Sequence, residues 1–227
     1  MTTFAHTAQS LIADVRSAVA EPNDGFYTDE EIIRWLNMAC LDFAARTGIL
    51  TTSAITGSVQ GQSRYNMPDD YLQMERVFYN SQELEPADTH EIFARTPFED
   101  IDLVGEVEVY YVRGTSTTAT SLNLWRAPST NGVAIEIWYR QRPDAMVGTA
   151  DPFPLRMEWS NAIIEYAIHR AHRKQRQIAD ANLALARYED YLIQAEQKRA
   201  EFHVNRPLQA KDSTAWDNTV GSWYRRW

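Results

Sequence analysis

The hydrophobic period changes twice along this chain, and that constrains the fold more than any single motif. Residues 8–47 repeat their apolar side chains every three to four positions, residues 50–142 fall into short alternating runs, and the helical period returns after residue 157. Two helices bury an apolar stripe poorly, whereas four can share a core. The two helical ends are therefore expected to meet. The expected fold is α+β: a helical bundle formed by N-terminal and C-terminal helices (1–50 and 152–203), an inserted antiparallel β module (51–151) and an extended C-terminal arm (204–227).

The helices have readable limits. "AHTAQSLIADVRSAV" places Ala8, Leu11, Ile12, Val15 and Val19 on one face before "EPNDG" stops it. "TDEEIIRWLNMACLDFAARTG" opens on a Thr28/Glu31 capping box, carries Ile32, Leu36, Ala39, Cys40 and Phe43 as its stripe, and ends at Gly48. The two should pack antiparallel. Late in the chain, Trp159, Ile163, Tyr166 and Ala167 form one stripe, and Leu185, Tyr188, Leu192 and Ala195 another. At 1.5 Å per residue each helix spans about 30 Å. Neither Pro nor Gly separates them, so the break is placed near Gln177–Asp180 with Asp180 as cap.

In the middle, "EVEVYYVRG", "SLNLWRA" and "VAIEIWYRQ" alternate, with Val107, Val109 and Tyr111 on one face and Glu106 and Glu108 on the other. Three consecutive half-buried strands predict an antiparallel meander. Pro68 in "MPDDYLQ" excludes a regular helix or a central strand. "ADTHEIFAR" holds a candidate short helix capped by Asp88.

Composition narrows the chemistry. With 44% hydrophobic residues and 11% aromatics the chain can bury a real core. No run approaches the roughly 18 apolar residues of a membrane span, and "MTTFAHTAQS" lacks the regions of a signal peptide, so a soluble, cytoplasmically made protein is expected. The single Cys40, set among small apolar residues, reads as a packed, inert thiol and excludes a Cys-based zinc site. His169 and His172, with Glu165 one turn earlier, match no metal-binding pattern and read as polar helix surface. Asp69 and Asp70 read as turn residues rather than a hydrolytic pair. Phosphate-binding and nucleophile-elbow motifs are missing; neither an enzyme nor a cofactor is expected.

Charge is unevenly spread. Residues 1–110 hold 6 basic against 19 acidic side chains (net −13), and residues 111–227 hold 16 against 12 (net +4). This does not suit general nucleic-acid binding, which rests on a concentrated basic surface. It suits subunits packed acidic flank to basic flank, or simply solvated charge. Arg170, Arg173, Lys174 and Arg176 form a basic patch late in one helix. Such residues complement the helix macrodipole as a solvated or salt-bridged face, or else meet a neighbouring subunit or DNA phosphates.

The last segment, "STAWDNTVGSWYRRW", carries Trp216, Trp223, Tyr224, Arg225, Arg226 and Trp227 without a helical or strand period. Large aromatics and arginines dominate protein interfaces. Two readings stand: an arm ordered by a partner, or a tail folded back over its own β module.

The order of motifs adds a resemblance. "YTDEEIIRWLNMACLDF" with Thr28, Asp29, Leu36 and Asn37, then "RYNMPDDYLQMERVFYNSQEL", "LNLWRAPS", "IWYRQRP" and the paired long helices together resemble the bacteriophage head-to-tail adaptor (connector) proteins. Met67 stands where that family usually has Leu, a volume-conserving change. The resemblance covers about residues 5–203. It implies a ring of about twelve copies beneath the portal at the capsid vertex, in the virion neck. The ring would line the DNA passage without binding DNA specifically and join a downstream tail or stopper/nozzle protein. It also implies a portal-docking role for the arm. A virion-associated peptidoglycan hydrolase, or another neck component such as a stopper or tail-completion protein, is the alternative.

Overall fold

The computed structural model describes residues 6–21, 25–88, 92, 103–115 and 118–204. The candidate short helix of "ADTHEIFAR" falls outside the described residues except at its first two positions and Ile92, and residues 205–227 lie wholly outside them. No helix among the described residues is long and apolar enough to cross a membrane.

Four helices and two four-stranded sheets account for most of the described chain: the fold is α+β. The helices are α1 (Ala8–Ala18), α2 (Asp29–Thr47), α3 (Ser160–Lys174) and α4 (Ile178–Val204). Each predicted stripe is at least partly buried. Leu11, Val15, Ile32, Leu36, Phe43, Ile163, Tyr188 and Leu192 all enter one continuous apolar core, joined by Cys40. Aromatic rings hold its centre, with Phe43 5.4 Å from Trp159 and Tyr166 5.2 Å from Tyr188 between centroids. Two buried tyrosines in that core have their hydroxyls satisfied. The Tyr27 hydroxyl donates to the Ala171 carbonyl at 2.8 Å, and the Tyr188 hydroxyl to Asp42 at 2.7 Å.

The helix ends follow the chemistry of capping, with two departures. Thr28 accepts a hydrogen bond from the Glu31 N–H as expected, but the Glu31 carboxylate spends itself on Lys174 at 2.6 Å. Asp180 is not the cap of α4, because the helix already begins at Ile178 and Asp180 sits inside its first turn. The reversal is made by Arg176 at φ 62°, with its N–H bonded to the Arg173 carbonyl and the Gln177 N–H to the His172 carbonyl. Those are the two bonds of a Schellman motif, formed without glycine. Ala20 closes α1 in the same way, at φ 57°. Gly48, at φ 60°, closes α2 where it was expected to.

The strands are β1 (Thr51–Gly57), β2 (Arg64–Asn66), β3 (Tyr71–Tyr79), β4 (Gln82–Glu83), β5 (Glu85–Pro86), β6 (Val104–Gly105), β7 (Val109–Thr115), β8 (Thr118–Trp125), β9 (Ala127–Pro128) and β10 (Ala134–Gln141). They do not form the predicted meander. One sheet runs β1-β10-β3-β4 and the other β2-β8-β7-β5, with β6 and β9 as a small parallel pair. β10 therefore leaves its neighbour β8 and inserts between β1 and β3. The reason is packing: Ile135, Ile137 and Tyr139 of β10 share a core with Leu122 and Leu124 of β8, face to face rather than edge to edge. On β7 the buried phase also differs from expectation. Tyr110 and Val112 face that shared core, while Tyr111 is buried on the opposite face. The strand begins only at Val109, so Val107 does not set its phase.

Glu75 ties the two cores together. Its carboxylate accepts from Arg140 of β10 at 3.3 Å and from Arg199 of α4, while Arg140 also donates to the Ala45 carbonyl at the end of α2. A Cβ added to Gly48 would stand 2.7 Å from Arg140 Nε, so glycine there admits the guanidinium as well as the left-handed turn.

Candidate functional site

The basic patch is not a set of equivalent free cations. Lys174 is committed: it bonds Glu31 and the Phe26 carbonyl, and its ammonium lies 4.7 Å from the Phe26 ring centroid and 5.1 Å from that of Tyr27. It pins the end of α3 to the start of α2. Arg173 and Arg176 are exposed and Arg170 is half-buried, so three guanidiniums remain near one helix end. His169 departs from the expected polar surface. It is buried, with Nδ1 2.8 Å from the Ala181 carbonyl, so it fastens α3 to α4. His172 meets the Gln177 side chain at 2.6 Å across the Schellman turn.

Cys40 lies in the helical core as expected, and burial pushes its thiol up to about 12, far from the thiolate a nucleophile needs. Asp70 is likewise spoken for. It accepts from the Tyr139 hydroxyl at 2.9 Å, and its backbone carbonyl takes the Arg142 N–H at 2.7 Å. Burial first, and then the Asp70 carboxylate, hold the Tyr139 phenol up at about 12. The segment around Pro68 forms a turn, with the Tyr71 N–H on the Pro68 carbonyl, and locks two strands of one sheet together.

Asn37 shows what the Leu36–Asn37 pair does. Its amide donates to the Met146 carbonyl at 2.8 Å and accepts from the Met146 N–H at 3.0 Å, imitating a strand partner for a loop 109 positions away. Beside this clamp lies an apolar groove of about 360 Å³, where Met38, Leu41 and Val147 are exposed. Asp151 stiffens the same loop. It accepts from the Gly148 and Val147 N–H groups, which hold its carboxyl below the usual range.

A larger cleft of about 790 Å³ opens where the sheet of β1, β10 and β3 faces α4, lined among others by Ser53, Trp138, Trp159 and Arg199. Lys198 lies 4.7 Å from the Trp159 ring centroid and pairs with Glu158 at 3.3 Å. The buried Trp159 Nε1 meets no acceptor among the described residues. The cleft and the Glu75–Arg140–Arg199 cluster were not foreseen. Glu75, Arg140 and Arg199 are 59 or more positions apart in sequence, and the cleft draws on segments scattered along the chain, so no local spacing announces them. Of the expected arm residues, Trp216, Trp223, Tyr224, Arg225, Arg226 and Trp227 all lie outside the described residues.

The described surface offers grooves lined by apolar, basic and acidic side chains, and many of its titratable groups are engaged in structural bonds. The family of the SU10 adaptor protein matches across residues 6–211, and the chain belongs to that family. The match accords with the resemblance to phage head-to-tail adaptors carried by the order of the motifs. No curated protein matches the chain.

Proposed function

We propose that this member of the SU10 adaptor family is a structural head-to-tail adaptor, built into the virion neck as a ring of about twelve copies beneath the portal. The observation that carries this reading is the family match over residues 6–211. The helices of 1–50 and 152–203 act as the bundle that packs on neighbouring copies, and the β module of 51–151 projects from it. Residues 204–227 serve as the arm that docks on the portal, with Trp216, Trp223, Tyr224 and Trp227 as anchors and Arg225 and Arg226 as charge partners. A downstream tail or stopper/nozzle protein attaches on the far side.

The excess of acidic side chains supports a passive DNA passage, since a wall that repels phosphate lets the genome slide, whereas a basic one would hold it. Arg170, Arg173 and Arg176 then serve a subunit contact more naturally than DNA. The test is electron microscopy of the purified chain mixed with portal rings: the expected image is a ring seated on a ring. In parallel, a chain lacking residues 207–227 should stay folded and fail to co-sediment with portal. A truncated chain that binds as well as the full one would sink the role of the arm while leaving the ring intact.

A further inference from the structure

β1 is the edge of its sheet, and its pairing decides which backbone groups are spare. The Leu50 carbonyl accepts from the Gln141 N–H and the Ser58 N–H donates to the Val133 carbonyl, while the register runs unbroken from Thr51↔Arg140 to Gly57↔Ala134. Antiparallel ladders alternate, so the even-numbered residues turn their N–H and C=O groups to β10. Those of Thr51, Ser53, Ile55 and Gly57 point away from the sheet. Among the described residues they meet no backbone partner.

Soluble proteins usually shorten, charge or cover such an edge. The segment "TTSAITG" has no charge and no proline, and its Ile55 is 71% exposed. The other edges of the two large sheets are two or three residues long. The cleft-side face of the same sheet sets aromatic and aliphatic side chains among polar ones. Ile55, Glu136 and Phe78 lie in register across it, and Trp138 packs on Phe78 at 6.5 Å between centroids. A row of spare hydrogen-bonding groups beside an aromatic surface fits an extended peptide with alternating large side chains.

We propose that this edge seats the segment that follows α4 in the same chain, with residues 219–227 ("TVGSWYRRW") adding to β1 as a further strand. In an extended segment Trp223, Arg225 and Trp227 share one face. That face can lay two indoles on Ile55, Trp138 and Phe78 and bring Arg225 to Glu136. The reach is ample. Arg199 already lines the cleft, five residues before α4 ends at Val204, and residues 205–218 can span about 45 Å at roughly 3.3 Å per residue. The inference goes beyond the adaptor reading: it concerns the chain before any portal arrives, and portal docking of the same arm would require its release from β1.

The test contains no portal, so it succeeds or fails independently of that reading. Hydrogen exchange by mass spectrometry is followed over residues 51–57 in the full chain and in a chain ending at Arg206. The expected result is exchange about tenfold slower in the full chain. Ser53→Pro removes one outward N–H, spares every bond to β10, and should bring the full chain to the truncated chain's rate. Equal exchange in the full and truncated chains overturns the proposal, as does protection that survives Ser53→Pro. Protection that rises with protein concentration overturns docking within one chain and assigns the edge to a neighbouring copy.

Discussion

Asn37 and Glu75 are single side chains that each hold two distant segments, and their loss should be felt well beyond their size. Asn37→Ala leaves the Met146 N–H and carbonyl without their partners. The expected loss is about 1–3 kcal/mol in urea-induced unfolding. Asn37→Asp should fare little better, because its carboxylate faces the Met146 carbonyl. Glu75→Gln leaves Arg140 and Arg199 crowded together with no counter-charge, at 18% and 24% side-chain exposure. Partial exposure moderates the cost, which we place at about 2 kcal/mol. A double-mutant cycle with Arg199→Met checks it: near-additive losses would remove the claim that the pair acts as a unit.

At the scale of elements, the turn between α3 and α4 rests on a left-handed arginine. A β-carbon in that conformation costs roughly 1–2 kcal/mol, part of which a glycine's freedom in the unfolded chain takes back. Arg176→Gly should therefore raise stability by about 0.5–1 kcal/mol, read as a higher Tm. A lower Tm would mean that the arginine side chain holds something the backbone argument ignores. The sheet has its own signature in alkali. The Tyr139 phenol is held up at about 12 by burial and by Asp70, against about 10 in an unfolded chain. Its contribution is complete below pH 10 and is lost as pH rises toward 12, since the unfolded state ionises first. Tyr139→Phe should flatten part of that decline in a pH series of melting curves; an unchanged slope would clear Tyr139 of the effect. In acid the sign reverses for Glu189, whose carboxyl is held low by Arg46. Its partial exposure keeps that contribution small.

For the whole molecule, both apolar cores are extensive, and among the described residues neither draws on a position beyond Ala195. A chain ending at Arg206 should thus fold and unfold cooperatively, as followed by circular dichroism in urea. A broad or missing transition would show that the arm is part of the core. The adaptor reading sets that truncation a second task, the loss of portal binding in sedimentation.

The helices were legible because their information is local: stripes at a 3.6-residue period, Thr28 as a cap and Gly48 as a stop all act within a few positions. The family too was legible, in the order of short motifs. The sheets were legible as strands but not as sheets. Alternation tells which side chains of β10 are buried, yet not that they are buried against the face of β8 rather than beside it. The same limit hid the break after α3, where Arg176 takes a glycine's conformation, and the burial of His169 under Ala181. It hid the clamp of Asn37 on Met146 and the cluster around Glu75 as well. By itself the sequence determined the element types, the core residues of the helices and the α+β class, because propensity and period are properties of neighbouring residues. Only the tertiary structure decided which strand lies beside which, which charges meet, and which edge is left open. Those outcomes depend on how two cores fill space together, and no short stretch of chain encodes that alone.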